Sequence, residues 1–510
     1  MSTNAEDNHI KSRAASIKRN FVFNMALTMS AFLFPLITYP YAARILLPEG
    51  MGKLAFAASL TAYFDMFAQL GIPTYGIRAC ARVRDDRAVL TRTVKELLSI
   101  NLAFTLLSYI VFFLLVIFVP RFQDEKLLYC IMSLSVFCNS IGMEWMYKAL
   151  EQYSYITARS IGFKLVSVVA MFLLVHSKED YVIYGGITIF AGSASNILNL
   201  INAGKYVDLW KAPEGKEKRK VSILSEAGNK HLRAVLVFFA MSCATIIYTN
   251  LDTLMLGFMK PAAEVGYYNA AVKIKTVLVS IVTSLGAVLL PRLSYYAESG
   301  LTTEFYRICR KALNFVFVFA VPMSVYFIIY AIYGIRFLSG PAFDAAVLPM
   351  RIIMPTLILV GITNILGLQI LVPLNREKEV LISEIAGAIT DLALNAALIP
   401  VYGAAGAALG TLAAEIIVLA VQCYSLRNQI STLFRGISYH KILISTAIAA
   451  LAAMAVSFRL QAGVFFILAA TGIIFFTIYG LALLVWKEPI IMELFNTVVN
   501  RIPALMKLKE

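Results

Sequence analysis

Four oxygen-bearing side chains lie inside long apolar segments of the sequence, where polar groups are costly. They are Asp252 in the segment 234–259, Asp391 and Asn395 in the segment 380–400, and Thr411 in the segment 404–426. With a helical rise of about 1.5 Å per residue, all four lie roughly 7 to 14 Å from the predicted outer ends of their helices. Such oxygens suit a hard cation, so we predict an Na⁺ or H⁺ site. The alternative is that they only hydrogen-bond one helix to another.

Three cationic side chains form a second group of candidates: Arg44, Lys273 and Arg351. An ionised side chain in a lipid-exposed helix costs about 2.5 to 3.5 kcal/mol on insertion scales. Charges at such positions therefore usually face a bundle interior or a watery cavity. Arginine offers a planar fork for phosphate and lysine a compact charge, so the group predicts binding of an anionic substrate. The alternative for Arg44 and Arg351 is snorkelling to the interface.

Two further intramembrane acids, Asp65 and Glu144, receive no role from the sequence. Either could pair with one of the cations. Their function is left open at this stage.

The elements that must position these side chains are membrane-spanning helices. The chain is 60% hydrophobic and only 15% charged, and its mean hydropathy is +0.76, well outside the range of soluble domains. About 20 apolar residues are needed for each spanning helix. Fourteen segments qualify, numbered 1 to 14 in chain order: 20–43, 52–77, 96–119, 127–147, 156–175, 181–204, 234–259, 265–290, 312–334, 345–374, 380–400, 404–426, 441–458 and 462–486. The predicted fold is an all-α polytopic membrane protein with 14 transmembrane helices.

A weak internal repeat predicts two lobes. The run Pro48–Gly52 recurs as Pro261–Gly266, and Tyr184–Gly186 recurs as Tyr402–Ala404, both at an offset of about 215 residues. Two six-helix lobes of parallel topology would place the substrate at the repeat interface. The predicted domains are a cytoplasmic tail 1–19, an N-lobe 20–204, a basic linker 205–233, a C-lobe 234–426, helices 13 and 14 within 427–486, and a cytoplasmic tail 487–510.

The positive charge of the chain lies mainly in the loops between the apolar segments. The formal net charge is +15, and Lys and Arg concentrate in alternate loops, which predicts that both termini are cytoplasmic. The basic run 216–220 is interpreted as a solvated linker and not as a nucleic-acid patch, and membrane lipids are the expected surroundings. The six scattered cysteines form no C-x-x-C pair, so neither zinc nor a disulfide framework is indicated. No cofactor is expected besides a coupling Na⁺ or H⁺.

Motifs of catalysis are missing from the sequence. There is no P-loop, Gly-x-Ser-x-Gly or His-Glu-x-x-His motif, and the predicted outside loops are short apart from 335–344. We therefore do not expect an enzyme. A polysaccharide polymerase in the membrane is the alternative of a different class, and it would usually require a long outside loop.

Five runs resemble the Wzx-type polysaccharide/O-antigen flippases of the multidrug/oligosaccharidyl-lipid/polysaccharide exporter superfamily. They are residues 19–57, LGIPTYGIRACAR at 70–82, residues 250–274, LGLQILVPLNREKE at 366–379 and PVYGAAGAALGT at 400–411. The resemblance covers nearly the whole chain. It implies alternating access of two lobes that moves undecaprenyl-pyrophosphate-linked oligosaccharide repeat units from the inner to the outer leaflet of the bacterial cytoplasmic (inner) membrane, for surface polysaccharide biosynthesis.

The resemblance also implies roles for the candidate residues. The related lipid II flippases have a sodium site that joins helices 7, 11 and 12, which Asp252, Asp391, Asn395 and Thr411 match. Cations of their central cavity face the pyrophosphate, which Arg44 and Lys273 match. Expected partners are the lipid-linked oligosaccharide, a polysaccharide polymerase and the chain-length machinery.

A cation-coupled multidrug antiporter of the same superfamily is the closest alternative function. Such a protein would need a cavity dominated by acids and aromatic side chains. Arg44 and Lys273 favour an anionic head group instead.

Overall fold

The described part of the chain consists of helices joined by turns and short loops. The structure, a computed structural model, describes residues 2–209, 226–493 and 495–496, and within these ranges there is no β-strand. The basic run 216–220 and nearly all of the C-terminal tail after residue 493 lie outside the described residues. The chain divides into two compact units, Met1–Phe258 (unit 1) and Met259–Glu510 (unit 2).

Unit 1 is built around a long first helix. Its helices are α1 Ser2–Gln69, α2 Ile72–Ala81, α3 Arg87–Phe118, α4 Pro120–Gln123, α5 Lys126–Ile141, α6 Glu144–Ala149, α7 Tyr153–Leu174, α8 Tyr181–Ile189, α9 Asn196–Asn202 and α10 Glu226–Met259. Helix α1 packs on α3, α5 and α7. Leu47 in α1 precedes Pro48 and has non-helical dihedral angles (φ 59°, ψ 176°); a residue before proline is disfavoured in the α region, but that preference does not account for the positive φ. Residues 2–19, predicted as a tail, continue α1.

Unit 2 contains the remaining helices. They are α11 Ala262–Glu298, α12 Thr302–Ile329, α13 Ala331–Leu338, α14 Val347–Ile353, α15 Thr356–Asn364, α16 Glu377–Tyr402, α17 Ala404–Ser425, α18 Arg427–Phe434, α19 Tyr439–Ser457 and α20 Val464–Val485. Helices α16 and α17 form a closely packed hairpin, and α19 packs on α20 and on α12.

The candidate spans agree with the predicted segments. Twelve described helices are long and apolar enough to cross a membrane, and the pair Pro341–Ile353 and Thr356–Leu371, bent by 45°, is a thirteenth. The 60-residue candidate Val22–Ala81 contains predicted segments 1 and 2, and the break at Leu47 divides them. The fourteen predicted segments are thereby all accounted for, and the predicted fold class is confirmed.

Near its C-terminal end, helix α10 is hydrogen-bonded to other helices of unit 1. Ser59 Oγ donates a hydrogen bond to the backbone oxygen of Asn250 at 3.0 Å. Arg121 donates from Nε (3.2 Å) and Nη2 (2.9 Å) to the backbone oxygen of Gly257. A Cβ at Gly257 would lie 2.1 Å from Cδ2 of Phe56, so only glycine permits this contact. The predicted lobe boundary within 205–233 stays a prediction.

Candidate functional site

The α16–α17 hairpin of unit 2 carries the first candidate site. Its two helices approach closely because glycines face the contact: a Cβ at Gly406 would lie 2.5 Å from the backbone oxygen of Leu398. Asp391, Asn395 and Thr411 are all buried, with exposed fractions of 3%, 0% and 8%. Three polar side chains are thus held inside an apolar hairpin.

The side-chain oxygens of Asp391 and Asn395 converge at Gly410. An ideal Cβ at this glycine would lie 2.2 Å from Asn395 Oδ1 and 3.1 Å from Asp391 Oδ1. The next residue is Thr411, whose Oγ1 donates to the backbone oxygen of Ala407 at 3.0 Å. The missing side chain at Gly410 therefore leaves space for two oxygens beside the threonine.

A third helix of unit 2 contacts this group. The buried hydroxyl of Tyr268 on α11 lies 3.0 Å from Thr411 Oγ1. Because the threonine hydrogen is used on the Ala407 oxygen, Tyr268 is the donor. This arrangement, which we call the α16–α17 site, joins Asp391, Asn395, Thr411 and Tyr268. Tyr268 was missed by sequence analysis, because no periodicity connects helices so distant in sequence.

Asp252, the fourth predicted oxygen ligand, belongs to unit 1. It is 6% exposed and lies on α10, between the anchored residues Asn250 and Gly257. The structure brings three of the four predicted residues together within unit 2. A site that Asp252 shares with them stays a prediction.

Lys273 lies on an exposed polar face of α11. The residues of this polar face follow at helical spacing: Asn269, Lys273, Thr276, Ser280 and Ser284. Lys273, Thr276 and Ser284 are exposed and the other two are partly exposed. The opposite face is apolar and buried, as Ile274, Leu278 and Val282 show. Such a face in a spanning helix is typical of contact with a watery cavity.

Helix α20 gives the contrasting case. Its exposed side chains are large and apolar, including Phe466 (66%), Ile473 (68%) and Val485 (76%). That surface suits lipid tails, whereas the polar face of α11 does not. Sequence analysis singled out Lys273 alone, although the spacing of the other four polar residues could have revealed the face.

The two candidate arginines are both exposed. Arg44 on α1 donates from Nη1 to the backbone oxygen of Pro40 at 2.6 Å. Arg351 on α14 donates from Nε to the backbone oxygen of Ile328 at 3.3 Å. Both guanidinium groups contact carbonyl groups of helices, and their predicted roles toward substrate are untested by these contacts.

Helix α7 carries two charges that sequence analysis missed. Arg159 is buried, donates from Nη1 to the backbone oxygen of Ser195 at 2.8 Å, and has Nη2 3.8 Å from Glu144 Oε2. Glu144 also pairs with Lys148 at 2.8 Å, so this acid is part of an ion network. Lys164 donates from Nζ to Ser30 Oγ at 2.8 Å. Arg159 and Lys164 both lie in an apolar segment, and a charge in such a segment could have marked them as candidates from the sequence.

Spanning helices with polar groups buried inside them and on one face define a multi-pass membrane transporter. The family described as "Polysaccharide biosynthesis protein" matches residues 17–297, more than half of the chain, and the chain belongs to this family. It is 24% identical over 413 residues to the "Putative O-antigen transporter" of Escherichia coli (strain K12), covering 81% of this chain and 97% of that protein.

Solved structures show the same fold. The chain is similar to "Lipid II flippase MurJ, inward closed conformation", with a TM-score of 0.71, 16% identity and coverage of 92% of this chain and 100% of that chain. An inward-facing multidrug resistance MATE family transporter of the MOP superfamily follows, with a TM-score of 0.57, 12% identity and coverage of 81% and 99%. These two likenesses show the fold, and the family and the named relative indicate a transporter rather than an enzyme, as predicted.

Proposed function

We propose that this protein flips undecaprenyl-pyrophosphate-linked oligosaccharide repeat units from the inner to the outer leaflet of the bacterial cytoplasmic membrane by ion-coupled alternating access. Its place is surface polysaccharide biosynthesis, and both termini are cytoplasmic. The polysaccharide polymerase and the chain-length machinery are the proposed partners downstream. Support comes from the family, from a relative named as an O-antigen transporter, and from the polar face of α11.

The polar face of α11 is the observation that carries the proposal. A pyrophosphate head group and its sugars must cross the apolar layer without meeting lipid tails, so their path needs donors and positive charge. Lys273 supplies the charge and Thr276, Ser280 and Ser284 supply hydroxyls on the same exposed face. The hydroxyls of Thr276 and Ser280 donate to their own helix, which leaves their oxygens to accept bonds from sugar hydroxyls.

The α16–α17 site is the proposed seat of coupling. A carboxylate oxygen and an amide oxygen that meet at Gly410, with a threonine hydroxyl on the next residue, suit Na⁺, or a proton on Asp391. A cation drives the cycle only if it binds one conformation better than the other, because equal affinity shifts no equilibrium. We expect occupancy of this site to favour one access state, with Asp252 as an additional ligand.

Translocation in vesicles tests the proposal. Purified protein is reconstituted, a lipid-linked oligosaccharide is supplied in one leaflet, and its arrival in the other is followed under imposed Na⁺ or proton gradients. Wild type should respond to one gradient, and Asp391→Ala and Asp252→Ala should translocate slowly and without that response. An equal gradient response in all three would reduce these acids to structural hydrogen-bonding groups.

The same vesicle assay distinguishes a flippase from a multidrug antiporter. An antiporter would transport cationic drugs in exchange for the ion whose gradient is imposed. The lipid-linked oligosaccharide would not compete with the drugs. Oligosaccharide transfer without drug transport is the outcome expected from the cationic face of α11.

A further inference from the structure

Unit 1 contains an intramembrane acid that no basic group accompanies. Asp65 lies on α1, one turn before the helix ends at Gln69. Its Oδ2 accepts hydrogen bonds from Gln69 Nε2 at 2.7 Å and from Asn139 Nδ2 at 3.1 Å. Its Oδ1 is buried and has no hydrogen-bond partner. Among the described residues, no Lys, Arg or His nitrogen lies within ion-pair distance of this carboxyl.

The groups that lead to Asp65 are neutral amides. Asn139 Oδ1 accepts from Asn196 Nδ2 at 3.1 Å, and Asn196 Oδ1 accepts from Asn199 Nδ2 at 3.5 Å. This chain of amides from α5 to α9 ends on Asp65 and brings no positive charge to it. A charged carboxylate here would have no basic group of the described residues to compensate it, and its Oδ1 is shielded from solvent, so the charged form is disfavoured.

The titratable groups that face this region are also neutral near pH 7. Tyr109 on α3 donates to the backbone oxygen of Ser133 at 2.6 Å, and Cys138 on α5 precedes Asn139. Phenols and thiols ionise at about pH 10 and 8.5 in unperturbed peptides. From α10, Ser242 and Thr245 line the same cavity as Asp65. Neither side chain is titratable.

A cavity connects this acid with a break between helices. Its volume is about 430 Å³, and Asp65, Gln69, Thr74, Ser242 and Thr245 contribute its polar lining. That volume is several times the volume that one water molecule occupies in the liquid, about 30 Å³.

At the rim of the cavity, Leu70 and Gly71 both have positive φ angles (46° and 74°). A Cβ at Gly71 would lie 2.6 Å from the backbone carbon of Phe238 on α10. A backbone break and a close helix contact therefore stand beside the acid, where a local rearrangement would change its access to water.

We propose that Asp65 holds a proton in the folded protein and releases it from its carboxyl to cavity water when unit 1 changes conformation. A proton on Oδ1 removes the uncompensated charge and leaves both hydrogen bonds to Oδ2 in place. A sodium ion fits poorly, because the amide groups around Oδ2 present N–H donors and not oxygens to it. This proton site lies in unit 1 and is separate from the α16–α17 site; its coupling to transport rests on the proposed function.

Infrared spectroscopy of the full chain in lipid nanodiscs tests the protonation directly. At neutral pH the wild type should show the carbonyl stretch of protonated carboxylic acid, and in Asp65→Asn that band should lose the contribution of one acid. Asp65→Glu should retain such a band at a shifted position. Asp124→Asn is the matched control, because this acid is exposed and lies outside the cavity. Its protonated-acid band should equal that of the wild type. Identical carboxyl regions in wild type and Asp65→Asn would overturn the proposal.

Two further measurements separate the remaining outcomes. Binding of ²²Na⁺ that Asp65→Asn lowers would identify a sodium site and overturn the proton assignment. In vesicles, Asp65→Asn should lose the response of translocation to a proton gradient and retain the basal rate without a gradient. If the wild type does not translocate at all, the proposed function fails while the infrared result still decides the protonation.

Discussion

The substitution Gly410→Ala should disable the α16–α17 site without removing any of its oxygens. The new methyl group would lie 2.2 Å from Asn395 Oδ1, where ordinary contact begins near 3.4 Å. The amide oxygen must therefore move by about 1 Å, an overpacking expected to cost about 1 to 3 kcal/mol. A displacement of that size is enough to spoil a cation site.

Thermal unfolding with and without cation measures the effect. A cation present at 100 times its Kd stabilises the wild type by about 2.7 kcal/mol, which for a unit of this size corresponds to a rise in Tm of roughly 5 to 10 °C. Gly410→Ala should lose most of this rise. The assay is a melting curve of purified protein over a series of Na⁺ concentrations and pH values.

Gly480→Ala is the matched control. This glycine lies on α20 of the same unit, and a Cβ there would meet nothing within 4 Å. Alanine should raise stability by about 0.5 to 1 kcal/mol through helix propensity and keep the full cation response. An undiminished rise in Tm in Gly410→Ala would refute the assignment of the cation to this hairpin.

Three further predictions concern the charges. Lys273→Ala should abolish translocation at normal expression, and Lys273→Arg should keep part of it, whereas Lys275→Ala on another face of α11 should transport normally; export by Lys273→Ala at the wild-type rate would contradict its role. Arg159→Ala should destabilise unit 1 by about 1 to 3 kcal/mol, because the backbone oxygen of Ser195 loses a buried donor while Glu144 keeps its pair with Lys148; chemical unfolding measures this, and unchanged stability would contradict it. Cysteines replacing Lys216 and Lys178 should react with an impermeant label from opposite sides of the membrane, and labelling of both from one side would disprove the topology.

The spans were predictable because hydropathy is a local property of the sequence. The positions of breaks were less so. Pro35 and Pro40 both lie within the continuous helix α1, and its non-helical residue is Leu47. Spanning helices tolerate proline where neighbours satisfy the freed backbone groups, and that depends on tertiary packing. The sequence of α1 alone does not contain this information.

The candidate site was predictable only within single helices. Asp391 and Asn395 are four residues apart, so helical geometry alone places them on one face. Their approach to Gly410 and the bond from Tyr268 to Thr411 depend on how α11, α16 and α17 pack. The isolation of Asp65 from basic groups is likewise a tertiary fact, since the sequence offered several cations as its partner.

The attachment of α10 to unit 1 has a consequence for experiments that divide the chain. The long hydrophilic linker precedes α10, so a chain expressed as two fragments cut near residue 216 would leave α10 on the C-terminal fragment. Its contacts through Ser59, Arg121 and Phe56 would then have to form between two polypeptides. Those contacts would drive fragment complementation, and a fragment beginning at Met259 would lack them. Split-reporter assays built on this protein should therefore keep α10 with the second fragment.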